Sequence, residues 1–225
     1  MVGRNFLRRS WRLAAHAAQP HPQPHSQGPL GRLSDAELVL RARDRGDGAA
    51  LEELIRRHRD AAYRIALRIC LNGADAEDVA QEAFVRVWRS LGRFRADSAF
   101  STWLYRIVTN LALNTVTRRR EQPAELAESQ FPAELDPASR VQQRERLAAL
   151  GAALASLTPE QRACWVLREV EGLSYEELAE VLELTLASVK GRLFRARAEL
   201  AAALARYDAP EGDAEAEPDA EGGGR

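Results

Sequence analysis

The sequence predicts an all-α protein built from two small helical domains. Apolar residues recur at three- and four-residue steps along most of the chain, which is the spacing of one face of an α-helix. A stretch rich in proline and acidic residues separates two such periodic regions. The second region carries two successive helix-start signals and then a longer basic helix, which together indicate a helix-turn-helix.

These signals divide the 225 residues into five segments. We predict a disordered basic extension over 1–34, a helical domain over 35–120, a flexible acidic linker over 121–140, a helix-turn-helix domain over 141–207 and a disordered acidic tail over 208–225. The tail has almost no apolar side chains, so it cannot bury enough surface to offset the entropy of ordering.

The first 34 residues contain no Asp or Glu and carry several arginines. Organelle presequences and disordered basic extensions share this composition. We favour an extension, including one that arises from a misassigned start codon. No apolar run approaches the roughly 18 residues that a membrane span needs, so we expect a cytoplasmic protein.

The bulk composition excludes several classes of protein. A formal net charge of −1 argues against a uniformly basic protein, so any basic surface must be local. Cys70 and Cys164 are far apart and lack the paired spacing of a zinc or redox motif. We expect both to be buried free thiols in a reducing compartment, with no metal and no cofactor.

Four helices are predicted in the first domain. The first runs from about Asp35 to Arg43 and ends at a glycine-rich turn, and the second has its apolar stripe between Leu51 and Ile69. The third has Asp75 as its expected N-cap and is ended by Gly92. The fourth begins near residue 100 and reaches the basic run at 118–120.

In the second domain the helix starts are marked by capping boxes. Thr158 and Gln161 form the first box, with a proline in the first helical turn. Ser174 and Glu177 form the second box, for a short helix that ends near Leu182. A turn then leads into a longer helix over about 186–206.

That longer helix has two chemically different sides. Its predicted buried stripe consists of Val189, Leu193, Ala196 and Leu200. The cations Lys190, Arg192, Arg195 and Arg197 fall largely on other faces, which suits contact with phosphates and base edges of duplex DNA. About four phosphate contacts would give a log affinity against log salt slope of roughly −3 to −4. The alternative is a basic helix that is merely solvated.

The fourth helix of the first domain interleaves aromatic and basic side chains. Such a mixture can follow a nucleic-acid backbone while aromatic faces accept unstacked bases. Phe100 and Trp103 also lie on the apolar stripe, so core packing is an equal alternative for them, whereas Tyr105 and the arginines lie off it. Extruding a base costs a few kcal/mol and stacking returns about 1–3 kcal/mol. This domain could therefore hold opened DNA, but a larger protein complex must supply the free energy that opens it.

An acidic cluster, which consists of Asp75, Glu77, Asp78 and Glu82, lies at the start of the third helix. No further ligands complete a metal shell, so metal binding is a poor interpretation. Carboxylates at a helix N-terminus are explained by the macrodipole, and a docking surface for a basic partner is compatible with that.

Two long motifs resemble a known family. The stretch 75–88, followed by 100–107 with Asn110, is similar to conserved region 2 of extracytoplasmic-function (ECF) sigma factors of the sigma-70 family. The stretch 167–179, followed by 188–197, is similar to their region 4. The resemblance covers about 35–207, with both motifs in the family's order. It implies a region 2 helical bundle, a region 4 helix-turn-helix and no enzymatic activity.

The resemblance also implies partners and site residues. The partners would be core RNA polymerase, through its largest-subunit clamp helices and its flap region, promoter DNA and an anti-sigma factor. The residues expected at the clamp helices are Asp75, Glu77, Asp78, Gln81, Glu82 and Arg86. Those expected at the opened −10 element are Arg93, Arg95, Ser98, Phe100, Ser101, Thr102, Trp103, Tyr105, Arg106, Asn110, Asn114, Arg118 and Arg119, with 98–102 forming the loop that receives an unstacked base. Those expected in the major groove of the −35 element are Thr185, Ala187, Ser188, Lys190, Arg192, Arg195 and Arg197.

Three positions depart from the family's usual pattern. Glu183 stands where a turn glycine is common, and a left-handed backbone there would cost about 1 kcal/mol or more. Asn114 replaces a frequent aspartate, and Leu186-Ala187 replaces a common Val-Gly. These changes affect the expected promoter preference and leave the class unchanged.

The rival interpretation is a transcriptional regulator whose helix-turn-helix binds duplex operator DNA without acting as a sigma factor. Helix-turn-helix domains are shared widely, so the motif alone does not decide. An enzyme is a weaker hypothesis, because the sequence has no phosphate-binding glycine loop, metal shell or nucleophile-base arrangement.

Overall fold

The computed structural model describes residues 29–95, 97–121 and 151–207, and every regular element in these ranges is helical. In the first domain the helices are α1 (Asp35–Arg45), α2 (Gly48–Cys70), α3 (Gly73–Ser90) and α4 (Phe100–Glu121), with 3-10 turns at Pro29–Arg32 and Leu91–Arg93. The second domain contains helical residues 151–155, then α5 (Pro159–Glu169), α6 (Tyr175–Leu182) and α7 (Leu186–Tyr207). The all-α prediction is confirmed, while residues 1–28 of the predicted extension, nearly all of the predicted linker and the predicted acidic tail lie outside the described residues. Residues 29–34, predicted as the end of the disordered extension, instead form a 3-10 turn followed by Ser34, the N-cap of α1.

Capping boxes start the helices where the sequence predicts them. The Gln161 backbone N–H donates to Thr158 Oγ1 at 3.2 Å, and the Thr158 N–H donates to Gln161 Oε1 at 2.8 Å. The Glu177 N–H donates to Ser174 Oγ at 3.1 Å, and the Ser174 N–H donates to Glu177 Oε2 at 2.7 Å. Each box satisfies backbone donors that have no intrahelical partner, so it fixes where α5 and α6 begin.

The predicted N-cap of α3 is wrong. The cap is Asn72, whose Oδ1 accepts the Asp75 backbone N–H at 2.9 Å, and the helix begins at Gly73. Asparagine caps helices as well as aspartate does, so the earlier residue takes the role. Asp75 instead lies in the first turn, where its carboxylate accepts from Arg119 Nη1 of α4 at 3.0 Å.

Helix α2 is the central element of the first domain, since it packs against α1, α3 and α4. Its inner face includes Leu54, Ile65 and Ile69, which have no solvent exposure. Leu104 of α4 and Val87 of α3 are equally buried against it. The three- and four-residue spacing read from the sequence therefore corresponds to the real core.

The two domains pack against each other, which the sequence did not predict. Helix α2 contacts α5, and α4 contacts both α5 and α6. The buried apolar side chains of both domains form one continuous cluster. The outer faces of α2 and α4 are therefore partly covered by the second domain.

The two cysteines are buried free thiols, as predicted. Burial raises the pKa of the Cys70 thiol to about 12 and that of the Cys164 thiol to about 11. Thiols react as thiolates, so neither side chain is suited to redox or nucleophilic chemistry at neutral pH.

A turn between α6 and α7 contains a strained residue. Glu183 has φ 53° and ψ 46°, which is the left-handed region, and its backbone N–H closes the last turn of α6 on the carbonyls of Ala179 and Glu180. This confirms that the missing glycine forces a residue with a Cβ into a conformation that glycine adopts at lower cost.

Glu53 is a buried carboxylate that organises the start of the domain. Its side chain is 6% exposed and accepts from Arg56 Nη2 at 2.7 Å and from Arg57 Nε at 2.8 Å. Arg57 also donates to the Leu33 carbonyl at 2.8 Å and to Asp35 at 2.9 Å, which ties the entry segment to α2. The Arg56 hydrogen bond is the main cause that lowers the pKa of Glu53 to about 2, and Arg57 lowers it further.

This depressed pKa predicts a pH-dependent stability. A carboxylate with a folded-state pKa below its ordinary 4.5 stabilises the fold fully above that value and loses the effect as pH falls towards about 2. We expect Glu53→Gln to lower the free energy of unfolding by about 2 kcal/mol near neutral pH, with a difference that shrinks in acid. Urea unfolding at a series of pH values measures this. Glu52→Gln, at the exposed neighbouring position, is the control, and a Glu53→Gln difference that is constant with pH would contradict the assignment.

The left-handed backbone at Glu183 predicts that glycine is more stable than alanine at this position. Glu183→Gly should raise the free energy of unfolding by about 1 kcal/mol relative to Glu183→Ala, because both variants lose the side chain and only glycine relieves the left-handed strain. Chemical denaturation of the two variants provides the comparison. Equal midpoints for Gly and Ala would show that the backbone at this turn is not strained.

Candidate nucleic-acid interface

Helix α7 is held in the second domain by one face. Val189, Leu193, Ala196 and Leu200 are each at most 4% exposed, which confirms the predicted stripe. Thr185 starts the helix: its Oγ1 accepts the Ser188 N–H at 3.2 Å and donates to Ser188 Oγ at 2.9 Å. The opposite face is therefore free to point away from the domain.

The outward face of α7 combines positive charge with apolar surface. Its exposed members are Thr185, Leu186, Ala187, Ser188, Lys190, Phe194 and Arg195, while Arg192 is half-buried. Phe194 is 75% exposed, although a large apolar side chain normally avoids water. Sequence reasoning missed Phe194, and the available signal was an aromatic residue one position off the buried stripe.

Arg197 differs from the other predicted cations of α7. Its guanidinium donates to Glu169 Oε1 of α5 from Nη2 at 2.6 Å and from Nε at 3.2 Å. The Glu169 hydrogen bond raises the pKa of Arg197. Arg197 therefore braces α7 against α5, whereas Arg195 has no carboxylate within ion-pair distance among the described residues.

The aromatic residues around the start of α4 form a packed cluster. The rings of Phe94 and Trp103 are stacked with centroids 4.7 Å apart, and Phe100 meets Trp103 edge-on at 5.9 Å. Phe100 and Thr102 are only 4% and 5% exposed. The structure thus places these two predicted −10 residues in the core, while Ser98, Ser101 and Trp103 remain half-buried at its edge.

The outward face of α4 is polar and basic. Asn110, Asn114 and Arg118 are exposed at four-residue intervals, so they share one side of the helix. Arg93 and Arg95 are exposed just before α4. Arg119 is not free, because it is paired with Asp75 of α3.

Tyr105 and Arg106 lie where the second domain covers α4. Burial raises the pKa of the Tyr105 phenol, and the negative charge of Glu171 raises it further. Arg106 Nη2 donates to the Glu180 carbonyl of α6 at 2.7 Å. These two predicted −10 residues are therefore off the stripe of their own domain, as expected, but in contact with the other domain.

Helix α3 presents an acidic surface with an apolar end. Glu77, Asp78 and Gln81 are exposed, and Glu82 pairs with Arg86 at 2.8 Å. One turn further along, Trp88 is 66% exposed and Val85 is 38% exposed. Trp88 and Val85 were not predicted as site residues, although both lie off the buried positions Val79, Ala83 and Val87.

The described parts of the chain contain neither a metal site nor a membrane-spanning helix. Within 29–95, 97–121 and 151–207 no group of three or more His, Cys, Asp or Glu side chains could hold a metal ion. None of the helices described there is both long enough and apolar enough to cross a bilayer.

Comparisons with known proteins agree with this architecture. The model of sigma-70 region 2 matches residues 54–122, and a model of sigma-70 region 4 matches residues 147–200. The ECF RNA polymerase sigma factor SigE of Mycolicibacterium smegmatis is 38% identical over 211 residues, which cover 85% of this chain and 82% of the relative. The RNA polymerase sigma-H factor of Pseudomonas aeruginosa is 35% identical over 186 residues, which cover 78% and 96% of the two chains.

Solved structures share the fold. CnrH in complex with the cytosolic domain of CnrY superposes with a TM-score of 0.59 at 31% identity, covering 77% of this chain and 98% of CnrH. The sigma factor RpoE in complex with the anti-sigma factor NepR from Bartonella quintana superposes with a TM-score of 0.56 at 23% identity, covering 68% and 96%. The second likeness concerns the fold alone.

A helical bundle followed by a helix-turn-helix, each matched by its own family model in the same order, defines a sigma-70 family transcription initiation factor. Within that family the chain belongs to the ECF sigma factors. It binds core RNA polymerase and directs it to promoters, and the alternative of an independent operator-binding regulator is not favoured.

The different environments of two neighbouring arginines on α7 lead to a prediction. Arg195→Ala should weaken promoter binding by the polymerase complex and reduce the slope of log affinity against log salt by about 1, because one phosphate contact is lost. Arg197→Ala should change that slope less and lower thermal stability instead, since it breaks the Glu169 pair. Binding to promoter DNA across a salt series measures both, and equal slopes for the two variants would contradict the division of roles.

Proposed function

We propose that three outward helix faces divide the work of this sigma factor. The face of α3 with Asp78 and Trp88 binds the clamp helices of the polymerase. The face of α4 holds the opened −10 strand, and the face of α7 enters the major groove of the −35 element. The observation that carries this proposal is that each helix buries one stripe completely and leaves a chemically distinct opposite face.

The α3 face suits a basic protein partner with some apolar surface. Its exposed carboxylates give charge complementarity, which speeds encounter and favours the correct partner. Trp88 offers a large, amphipathic side chain of the kind that dominates interface energies when buried by a partner. Val85 extends the apolar area. The face therefore has an apolar centre, formed by Trp88 and Val85, with the exposed carboxylates around it.

The α4 face suits single-stranded DNA. Asn110 and Asn114 can donate to and accept from base edges, and Arg118 can meet phosphate. We assign the buried Phe100 and Thr102 to positioning this surface, since they support the packed Phe94 and Trp103 rings. Trp103, at the edge of that cluster, is the aromatic side chain best placed to stack on an extruded base.

The α7 face suits duplex DNA. A helix held by one stripe with exposed Lys190 and Arg195 is the arrangement by which recognition helices contact phosphates and base edges. Phe194 and Leu186 add apolar groups that can contact thymine methyls. Promoter recognition by the second domain therefore combines charge with direct readout.

We further propose that the protein works without enzymatic activity in the bacterial cytoplasm, and that an anti-sigma factor controls it. The first two statements rest on membership of the sigma-70 family. The third is supported by the CnrH structure, in which a 31% identical protein is complexed with a domain of another protein. The acidic face of α3 and the exposed face of α7 are surfaces that such a partner could cover.

Run-off transcription with purified core polymerase on genomic fragments tests the proposal. We expect promoter-specific transcripts with the wild-type chain and a loss of roughly tenfold or more when Asp78 and Glu82 are both changed to Lys, because two like charges then oppose a basic partner. Glu52→Lys, an exposed charge reversal on α2, is the control and should transcribe normally.

The outcomes separate the candidate functions. A chain that yields no specific transcript with core enzyme is not acting as a sigma factor. Specific binding to a duplex operator without polymerase would instead support the rival regulator. Full activity of the Asp78→Lys, Glu82→Lys variant would leave the family assignment intact. It would show that the polymerase contacts a surface other than this face of α3.

A further inference from the structure

Two side chains from outside the predicted sites hold the aromatic cluster of Phe94, Phe100 and Trp103. The first is Arg43, near the end of α1, whose Nη1 donates to the Phe94 carbonyl at 3.0 Å across a separation of 51 residues in the chain. Phe94 directly follows the 3-10 turn Leu91–Arg93, and its ring stacks on Trp103. Arg43 therefore fixes the backbone from which one ring of the cluster projects.

The Arg43 guanidinium is itself oriented by its neighbour on α1. Asp44 accepts from Arg43 Nε at 2.6 Å and from Nη2 at 3.1 Å, so both carboxylate oxygens are engaged. A bidentate pair of this kind holds the guanidinium in one plane, which leaves Nη1 directed at the Phe94 carbonyl. Arg43 is half-buried and Asp44 is exposed, and ion pairs near the surface contribute little to stability. The pair therefore fixes a geometry more than it stabilises the fold.

The second side chain is His58 of α2. Its ring lies beside that of Phe100, with centroids 5.1 Å apart and planes tilted by 57°. His58 Nε2 lies 2.6 Å from Asp35 Oδ2, and Asp35 also accepts from Arg57 Nη1 at 2.9 Å. The His58 hydrogen bond is the largest cause that lowers the pKa of Asp35, so the ionised carboxylate accepts and the imidazole donates. A fixed carboxylate thus orients the ring that packs on Phe100.

Both contacts act on rings that are themselves too buried to meet a DNA base. Phe94 is 8% exposed and Phe100 is 4% exposed, whereas Trp103 is half-buried at the edge of the cluster. Trp103 packs against both of the buried rings. Close-packed rings have few alternative arrangements, so a shift of either buried ring moves Trp103 as well. The orientation of Trp103 therefore depends on residues of α1 and α2.

We propose that Arg43 and His58 are positioning residues for the −10 surface. They act through the two buried rings of the aromatic cluster, so that Trp103 is preorganised to stack on an extruded base. A ring that is already held in its binding orientation loses less conformational entropy when a base stacks on it. This inference rests on the proposed function of α4 and adds to it two residues that act without touching the DNA.

Binding of single-stranded promoter DNA by the complex with core polymerase tests the inference. The probes are the single strands of a promoter that run-off transcription has identified, together with copies that each lack one base of the −10 element. The extruded position is the one at which loss of the base weakens binding by the wild-type complex and at which Trp103→Ala removes that difference. At this position the affinity reports stacking.

Arg43→Ala should weaken binding to the intact strand by roughly three- to tenfold and leave binding to the abasic strand unchanged. Because no phosphate contact is lost, the slope of log affinity against log salt should stay that of the wild type. Arg43→Lys keeps the charge but not the bidentate geometry, so it should recover only part of the affinity. Arg45→Ala, which removes an exposed arginine of the same helix, is the control and should change neither affinity.

Variants of His58 separate the ring contact from the hydrogen bond. His58→Phe keeps a ring beside Phe100 and should retain most of the affinity for the intact strand. His58→Gln keeps a donor for Asp35 but removes the ring, so it should lose affinity for the intact strand as Arg43→Ala does. Arg59→Ala, at the exposed neighbouring position, is the control. If circular dichroism shows that His58→Gln is unfolded, the comparison of Arg43→Ala with Arg45→Ala decides.

Three results would overturn the inference. An equal loss of affinity for the intact and the abasic strand would show that Arg43 only supports the fold. A salt slope that falls by about 1 would show that Arg43 contacts a phosphate directly. An unchanged affinity of Arg43→Ala for the intact strand would show that its bond to Phe94 does not position the cluster. All three leave the proposed function of α4 standing, whereas a wild-type complex that binds every abasic copy as tightly as the intact strand would remove that function and this inference with it.

Discussion

The fold of this sigma factor depends on one constraint: each functional helix must bury a continuous apolar face, and only the opposite face is left for partners. Helix α7 shows this most clearly, since Val189 and Leu193 are essentially inaccessible while Phe194, the next residue, is mostly exposed. The helical period of 3.6 residues enforces this separation. A recognition helix is therefore positioned by the same residues that stabilise the domain.

Several charged residues in the predicted sites serve to hold helices in place. Arg119 joins α4 to α3 through Asp75, and Arg197 joins α7 to α5 through Glu169. Such braces fix the orientation of the outward faces, which carry the cations that remain exposed. Whether an arginine holds two helices together or stays exposed depends on whether a carboxylate distant in sequence lies beside it.

The specific interactions across the contact between the two domains are polar. Arg162 donates to the Ile69 carbonyl, Arg64 pairs with Glu171, and Arg106 donates to the Glu180 carbonyl. Interfaces between domains of one chain are generally more polar than obligate interfaces. The apolar cluster that continues across both domains supplies contact area, while the polar groups determine which surfaces meet.

The sequence by itself determined the helices, the capping boxes at Thr158 and Ser174, the buried stripes and the order of the two domains, because these are set by interactions among residues a few positions apart. Only the tertiary structure decided that Tyr105 and Arg106 face the second domain and that Arg197 is paired with Glu169. The cap of α3 is a local choice as well, and the structure assigns it to Asn72 in place of Asp75. Helical periodicity reports which side of a helix is apolar, but it carries no information about which distant segment covers the other side.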